Sequence, residues 1–132
     1  TDLVKASDEE AFLVSGKDNL EEAAQLFIEN GCKICIITCG KDGAFWYMDG
    51  KCGLVPTFSV KVVDTTGAGD AFWAGFLYKT IKEGGLHEIT AQKLPGMVKF
   101  GNAVGALNVM HKGGIDGAPQ LEDVEKLLVD DN

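Results

Sequence analysis

Asp70 stands in the stretch VVDTTGAGDAFWAGF, residues 62–76, directly behind Gly67-Ala68-Gly69 and ahead of an apolar, helix-like run. A strand, a glycine-rich turn and a helix start bring unpaired backbone N–H groups and the positive end of a helix dipole to one point. That arrangement suits an anion. Gly67 and Gly69 let the backbone approach a phosphate with no Cβ in the way. With Asp70 in the first turn, an anion hole and a carboxylate lie side by side. Phosphoryl transfer needs that pairing: the amides hold developing negative charge while the carboxylate accepts a proton from an attacking hydroxyl. An acidic residue in a first helical turn is also mildly stabilising by itself, so Asp70 alone decides nothing. The chain has no G-x-x-x-x-G-K-[ST] loop, and Gly67-x-Gly69 is followed by Ala71 and Phe72 without the third glycine of a dinucleotide fingerprint.

Charge narrows the chemistry further. The net charge of −8 argues against a nucleic-acid surface, and all 12 basic residues are lysines. Without arginine, a phosphate must be held by backbone amides, by lysine or by a metal. Cys32, Cys35, Cys39 and Cys52 include one Cys-x-x-Cys, but no second pair or His-x-His completes a metal site. The run KICIIT reads as a buried strand in which cysteine is a small apolar filler. Free thiols, with no signal peptide or membrane-spanning run, lead us to expect a cytoplasmic protein. His87 belongs to no motif and is expected at the surface, and His111 reads as a helix-end residue.

The elements that must position these groups are legible from caps and periodicity. Ser7-Asp8-Glu9-Glu10 is a capping box opening a short helix that ends near Gly16. A second helix is predicted over about 19–30 with Gly31 closing it, then a strand over 33–38 buried on both faces. AFWYMDGKCGLVP reads as a β-hairpin turning at Asp49-Gly50, and a further strand is expected over about 58–63. Helices follow from Gly69 to about 83, from about Pro95 to 111 and over about 121–129. Strands alternating with helices imply an α/β fold with a largely parallel sheet, and 132 residues of ordinary globular composition make one domain. The chain starts at Thr1 on a strand, which raises the expectation that an N-terminal half precedes it.

VVDTTGAGDAFWAGF strongly resembles the second signature of the ribokinase-like (pfkB) carbohydrate kinases. VKASDEEAFLVSG is similar to that family's K-x-[NS]-x-x-E segment, ITCGKDGAFW to its T-x-G-x-x-G segment, and FGNAVGALNVMHKGG to its helix and loop beside the adenine. The four stand in the family's order over essentially the whole chain, 1–132, and KASDEE is closest to fructokinase-type members. The resemblance implies the C-terminal, nucleotide-binding and catalytic part of an ATP-dependent sugar kinase. Asp70 would be its base, and the amides of Gly67, Ala68, Gly69 and Asp70 its anion hole.

The same resemblance places Ser7 near the phosphates and Glu10 near Mg2+ through water, although the capping box accounts for both residues without function. Thr38, Gly40 and Gly43 would form the nucleotide loop, or simply the turn into the hairpin. Asn102 would lie beside adenine or ribose, or else join a local hydrogen-bond network. Asp64 and Thr66, with the carbonyls of Asn108, His111 and Gly113, would hold K+, and Gly117 stands where the family carries a further polar ligand. The sugar pocket is implied to come mainly from the part of the fold before this one. A second reading is therefore a catalytically incomplete nucleotide-binding module that needs a missing half or partner chain. Association through exposed sheet edges, or as a homo-oligomer, is expected of such a piece.

Overall fold

The computed structural model describes residues 2–58, 67–109 and 121–130. Among the described residues, nine regular elements run in the order β1 (Leu3–Ser7), α1 (Asp8–Ser15), α2 (Leu20–Glu29), β2 (Ile34–Thr38), β3 (Ala44–Met48), β4 (Lys51–Val55), α3 (Ala68–Lys82), α4 (Leu94–Val109) and α5 (Leu121–Asp130). Single 3-10 turns lie at Gly40–Asp42 and Leu86–Glu88.

The described strands form one sheet in the order β1-β2-β3-β4. β1 and β2 pair in parallel, joined by the α1–α2 crossover, with Ser7 opposite Thr38. The other two pairings are antiparallel, one of them the expected β-hairpin, so among the described residues the sheet is mixed. Chain length explains the direction. Only residues 39–43 separate β2 from β3, too few for the crossover a parallel pair requires. The hairpin turns at Asp49 (φ 53°) and Gly50 (φ 75°), both left-handed as the two-residue turn demands. The strand expected over 58–63 lies, beyond Phe58, outside the described residues.

Side-chain alternation splits the core into two layers. Ile34, Ile36, Ala44, Trp46 and Met48 face α3 and α4, meeting Phe72, Phe76, Leu94, Met97 and Val98. Cys35, Ile37, Cys39, Phe45 and Tyr47 face α1 and α2, with Ala11, Ala23 and Ala24. β2 is thus buried on both sides, as its unbroken apolar run predicts. Each fully buried Ile, Leu or Phe in these layers contributes about 1.5–3 kcal/mol. A third cluster seats α5 through Val124 against Phe58, Phe100, Ala103 and Ala106.

The cysteines behave as packing. Burial pushes the Cys35 thiol up to about 12, and burial with Asp8 and Asp42 nearby pushes Cys39 up to about 11. Neither is a thiolate at neutral pH, and no group of three His, Cys, Asp or Glu among the described residues could hold a metal. Cys52 differs from the others in being exposed. No helix among the described residues is long and apolar enough to cross a membrane. β1 and β4 are the edges of the described sheet, and Leu13, Val14 and Ile81 are exposed.

Candidate active site

α3 begins at Ala68 behind Gly67, whose φ of 78° and ψ of 7° are left-handed and whose place no side chain fills as a cap. Most helices satisfy their first amides with a Ser, Thr, Asp or Asn side chain, as α1 and α2 do through Ser7 and Asn19. Gly67 offers no such side chain, so among the described residues the opening amides of α3 have no side-chain cap. Gly67 needs to be glycine for its conformation. Gly69 does not: its φ is ordinary, it is exposed, and an added Cβ would meet nothing closer than the Lys5 Nζ, 3.8 Å away. Glycine costs a helix about 1 kcal/mol relative to alanine. No contact within the described fold requires it at this position.

Asp70 is exposed in the first turn, and its carboxylate makes no hydrogen bond or ion pair to a described residue. It is therefore free to serve as an acceptor. The remainder of α3 is anchored firmly against α4. A Cβ on Gly101 would stand 2.8 Å from the Phe72 ring and 3.0 Å from the Phe72 carbonyl oxygen, and one on Gly75 would stand 2.7 Å from Val104. Two glycines let the helices close to backbone contact, and this fixes the N-terminus of α3 relative to the sheet.

β1 delivers the next groups. Leu3 packs into the α3–α4 layer, whereas Val4 and Ala6 pack on the other side, so alternation puts Lys5 on the α3 face. Ser7 ends the strand and caps α1. Its hydroxyl accepts from the Glu10 N–H at 3.1 Å, and its own N–H donates to Glu10 Oε1 at 2.9 Å. The capping box read from the sequence is present, and it engages both of the side chains the resemblance placed near phosphate and Mg2+. The Ser7 backbone N–H lowers the Glu10 pKa most, helped by the Ser7 side chain and by the Lys5 charge.

A folded-state pKa below the unfolded value adds stability that is present above the ordinary carboxylate pKa and lost as pH falls through the depressed one. Glu10→Gln is accordingly expected to lower the melting temperature slightly at neutral pH and by progressively less below about pH 4.5. Parallel melting curves of the two proteins across that range check it. A difference that grows in acid would contradict the assignment.

Thr38 stands beside Ser7 at the C-terminal ends of the parallel pair, and its hydroxyl donates to the Ala6 carbonyl at 3.4 Å. Open α/β sheets bind ligands at such strand ends. In the loop that follows, Gly40 (φ 55°) is exposed with open space around it. Gly43 is buried, and a Cβ there would run into the Val55 carbonyl oxygen and stand 2.8 Å from the Pro56 Cα. Gly43 is thus required by the fold of the hairpin. Asn102 is buried at 5% exposure and donates through Nδ2 to the carbonyls of Val55 (2.9 Å) and Pro56 (3.3 Å). That local network accounts for a polar side chain on an apolar helix. Asn108 is buried near the end of α4. Asp64, Thr66, His111, Gly113 and Gly117 lie outside the described residues. His87 is exposed, as expected, and borders a cavity with Asp2 and Ile34 at the opposite strand ends.

Lys5 is the first residue of the K-x-[NS]-x-x-E segment, and sequence reading assigned it no role. The signal was available: the only charged residue between Leu3 and Ser7, in a chain without arginine, two positions before a strand end.

Comparison with known proteins finds relatives over nearly the whole chain. The model of the pfkB family carbohydrate kinases matches residues 1–121. Fructokinase-2 of Oryza sativa subsp. japonica is 38% identical over 128 residues, covering 96% of this chain and 38% of the relative. An ATP-dependent 6-phosphofructokinase of Thermoanaerobacterium thermosaccharolyticum is 34% identical over 126 residues, 96% of this chain and 37% of its own length. The crystal structure of a Vibrio cholerae fructokinase in its fructose-, ADP- and calcium-bound form superposes with a TM-score of 0.86 at 31% identity, covering 96% of this chain and 41% of that one. The chain spans about two fifths of the length of these relatives.

Proposed function

This chain belongs to the pfkB family of carbohydrate kinases, and from that premise we propose that it carries the nucleotide-binding and phosphoryl-transfer part of an ATP-dependent sugar kinase. The observation that carries the reading is the start of α3. A helix N-terminus with no side-chain cap among the described residues, a glycine at 69 that the described fold does not require, and an Asp70 carboxylate that engages no described residue converge on one exposed spot. The substrate proposed is fructose or a related carbohydrate.

In the proposed reaction a sugar hydroxyl oxygen attacks the γ-phosphorus of ATP. The new O–P bond forms as the bond to the ADP oxygen breaks, and the hydroxyl proton passes to the Asp70 carboxylate. The amides of Ala68, Gly69 and Asp70, with Gly67 turning the chain into them, stabilise the charge on the phosphoryl oxygens. Thr38 and Gly40 line the strand-end loop where the nucleotide is proposed to lie. Ser7 and Asn102 lie along the same proposed path, with Gly43 shaping the loop. Mg2+ would supply electrostatic neutralisation of the phosphates when bound. Glu10 fits it through water, because it is an exposed carboxylate with one oxygen held in place by the Ser7 N–H. Asp64, Thr66, Asn108, His111 and Gly113 are the residues proposed for K+. A cytoplasmic setting is proposed with them, in keeping with four free cysteines.

The test is ADP release by the full-length protein with MgATP and a panel of fructose, ribose and fructose 6-phosphate. One of the three is expected to drive stoichiometric ADP formation. If none does while the protein binds MgATP, the binding-module reading replaces the kinase one.

A further inference from the structure

α4 carries three glycines in its 16 residues, Gly96, Gly101 and Gly105, although each weakens a helix. Gly96 faces open space, and Gly101 makes room for the Phe72 ring. Gly105, one turn beyond Gly101, meets something else. A Cβ there would stand 3.3 Å from the Ala68 carbonyl oxygen, 3.8 Å from the Phe72 Cβ and 3.9 Å from the Phe72 nitrogen. Ala68 and Phe72 are four residues apart on α3, so that carbonyl and that N–H are a pair the helix joins. Their bond comes directly after the one from the Ala71 N–H to the Gly67 carbonyl, 2.8 Å long. Gly105 thus lies against the first turn of α3.

The Ala68 carbonyl and the Gly69 N–H belong to one planar peptide unit, so whatever tilts the carbonyl tilts the N–H with it. The body of α3 cannot take up a displacement, because Phe72 and Phe76 are buried in the layer beneath it. The movement forced by a side chain at 105 falls instead on the 68–69 peptide, at the end of the helix. We propose that Gly105 is a positioning residue: by carrying no side chain it sets the tilt of that peptide, and so the direction in which the Gly69 N–H meets the transferring phosphoryl group. The assignment rests on the kinase reading above. Gly105 acts through α3 alone, and its effect belongs to the transition state, where the aim of the amide counts, rather than to the binding of nucleotide or sugar.

The experiment uses the full-length protein with Gly105→Ala, Gly105→Val and, as control, Gly96→Ala, each followed by thermal melting. ADP release gives kcat and the sugar KM. Calorimetry in the presence of sugar compares MgADP alone with MgADP plus fluoroaluminate, a mimic of the phosphoryl group in flight. A misplacement of about 1 Å in a reacting constellation costs roughly 100-fold. The smaller shift in Gly105→Ala is expected to lower kcat and fluoroaluminate affinity together by about 3- to 10-fold, and Gly105→Val by up to about 100-fold. MgADP affinity and sugar KM stay where they were. The melting temperature of Gly105→Ala holds or rises, since alanine suits a helix interior better than glycine, and Gly96→Ala leaves kcat unchanged. A merely structural glycine would lower the melting temperature of Gly105→Ala and leave kcat and fluoroaluminate affinity of the folded protein unchanged. That result overturns the assignment, as does a loss of MgADP affinity as large as the loss of kcat. A wild-type protein that neither phosphorylates a sugar nor binds fluoroaluminate with MgADP would instead remove the kinase reading, so the two failures are distinguishable.

Discussion

Asp70→Asn in the full-length protein is expected to lower kcat by about 10²- to 10⁴-fold, the range a positioned general base supplies. Affinity for MgATP should hold or rise slightly, because a negative charge beside the phosphates has been removed. The substitution is a clean one here. Asp70 is exposed, its carboxylate engages no described residue, and asparagine has the same shape. The fold loses only the favourable interaction of a carboxylate with the helix start, about 0.3–1 kcal/mol. A fall in turnover at nearly constant melting temperature therefore reports chemistry. Turnover within a few-fold of wild type would remove Asp70 from the role of base and leave it as an ordinary first-turn acid.

The second large effect concerns stability. Gly43→Ala should destabilise the domain by about 3 kcal/mol or more. Gly43 has φ 105° and ψ −143°, a conformation that side chains rarely adopt. Its Cβ would press on backbone atoms of residues 55–57, including the Thr57 nitrogen at 2.9 Å. Backbone cannot swing aside as a flexible side chain can, so the strain must open the hairpin away from the β2 loop. A melting temperature lowered by roughly 10 °C is the expected reading. Gly40→Ala, three residues away, makes the useful contrast. Its left-handed φ of 55° costs an alanine about 1–2 kcal/mol, but the space around it is open. The same pair separates the two meanings of the T-x-G-x-x-G segment. If Gly43→Ala proved as mild as Gly40→Ala, the packing account of the loop would fail.

Those two glycines show where sequence reading ends. Spacing alone cannot tell a glycine kept for a ligand from one kept for a backbone crossing. The carbonyl against Gly43 is twelve residues away in sequence, and only the fold brings it there. Asn102 is a similar case: its partners, Val55 and Pro56, lie 47 and 46 residues earlier. The capping box at Ser7 and Glu10, the Asp49-Gly50 turn and the ends of α1 and α3 were all legible, because each is decided within a few residues. The expected hairpin makes β3 and β4 antiparallel, as observed, but leaves the direction of β3 against β2 open. A short link between two strands is the stronger signal, and it fixes β3 antiparallel to β2. The start of α3 was legible as chemistry because its glycines break a local rule that the described fold gives no compensating reason to break at 69. The face of the sheet on which Lys5 lies needed the β1 register, which sends alternate residues to opposite layers.

The most direct measurement is a crystal structure of the full-length protein with a non-hydrolysable ATP analogue and its sugar. The terminal phosphate is predicted within hydrogen-bond distance of the amides of Ala68, Gly69 and Asp70, with the Asp70 carboxylate reaching the acceptor hydroxyl. A terminal phosphate bound away from the start of α3, or a hydroxyl out of reach of Asp70, would contradict the account.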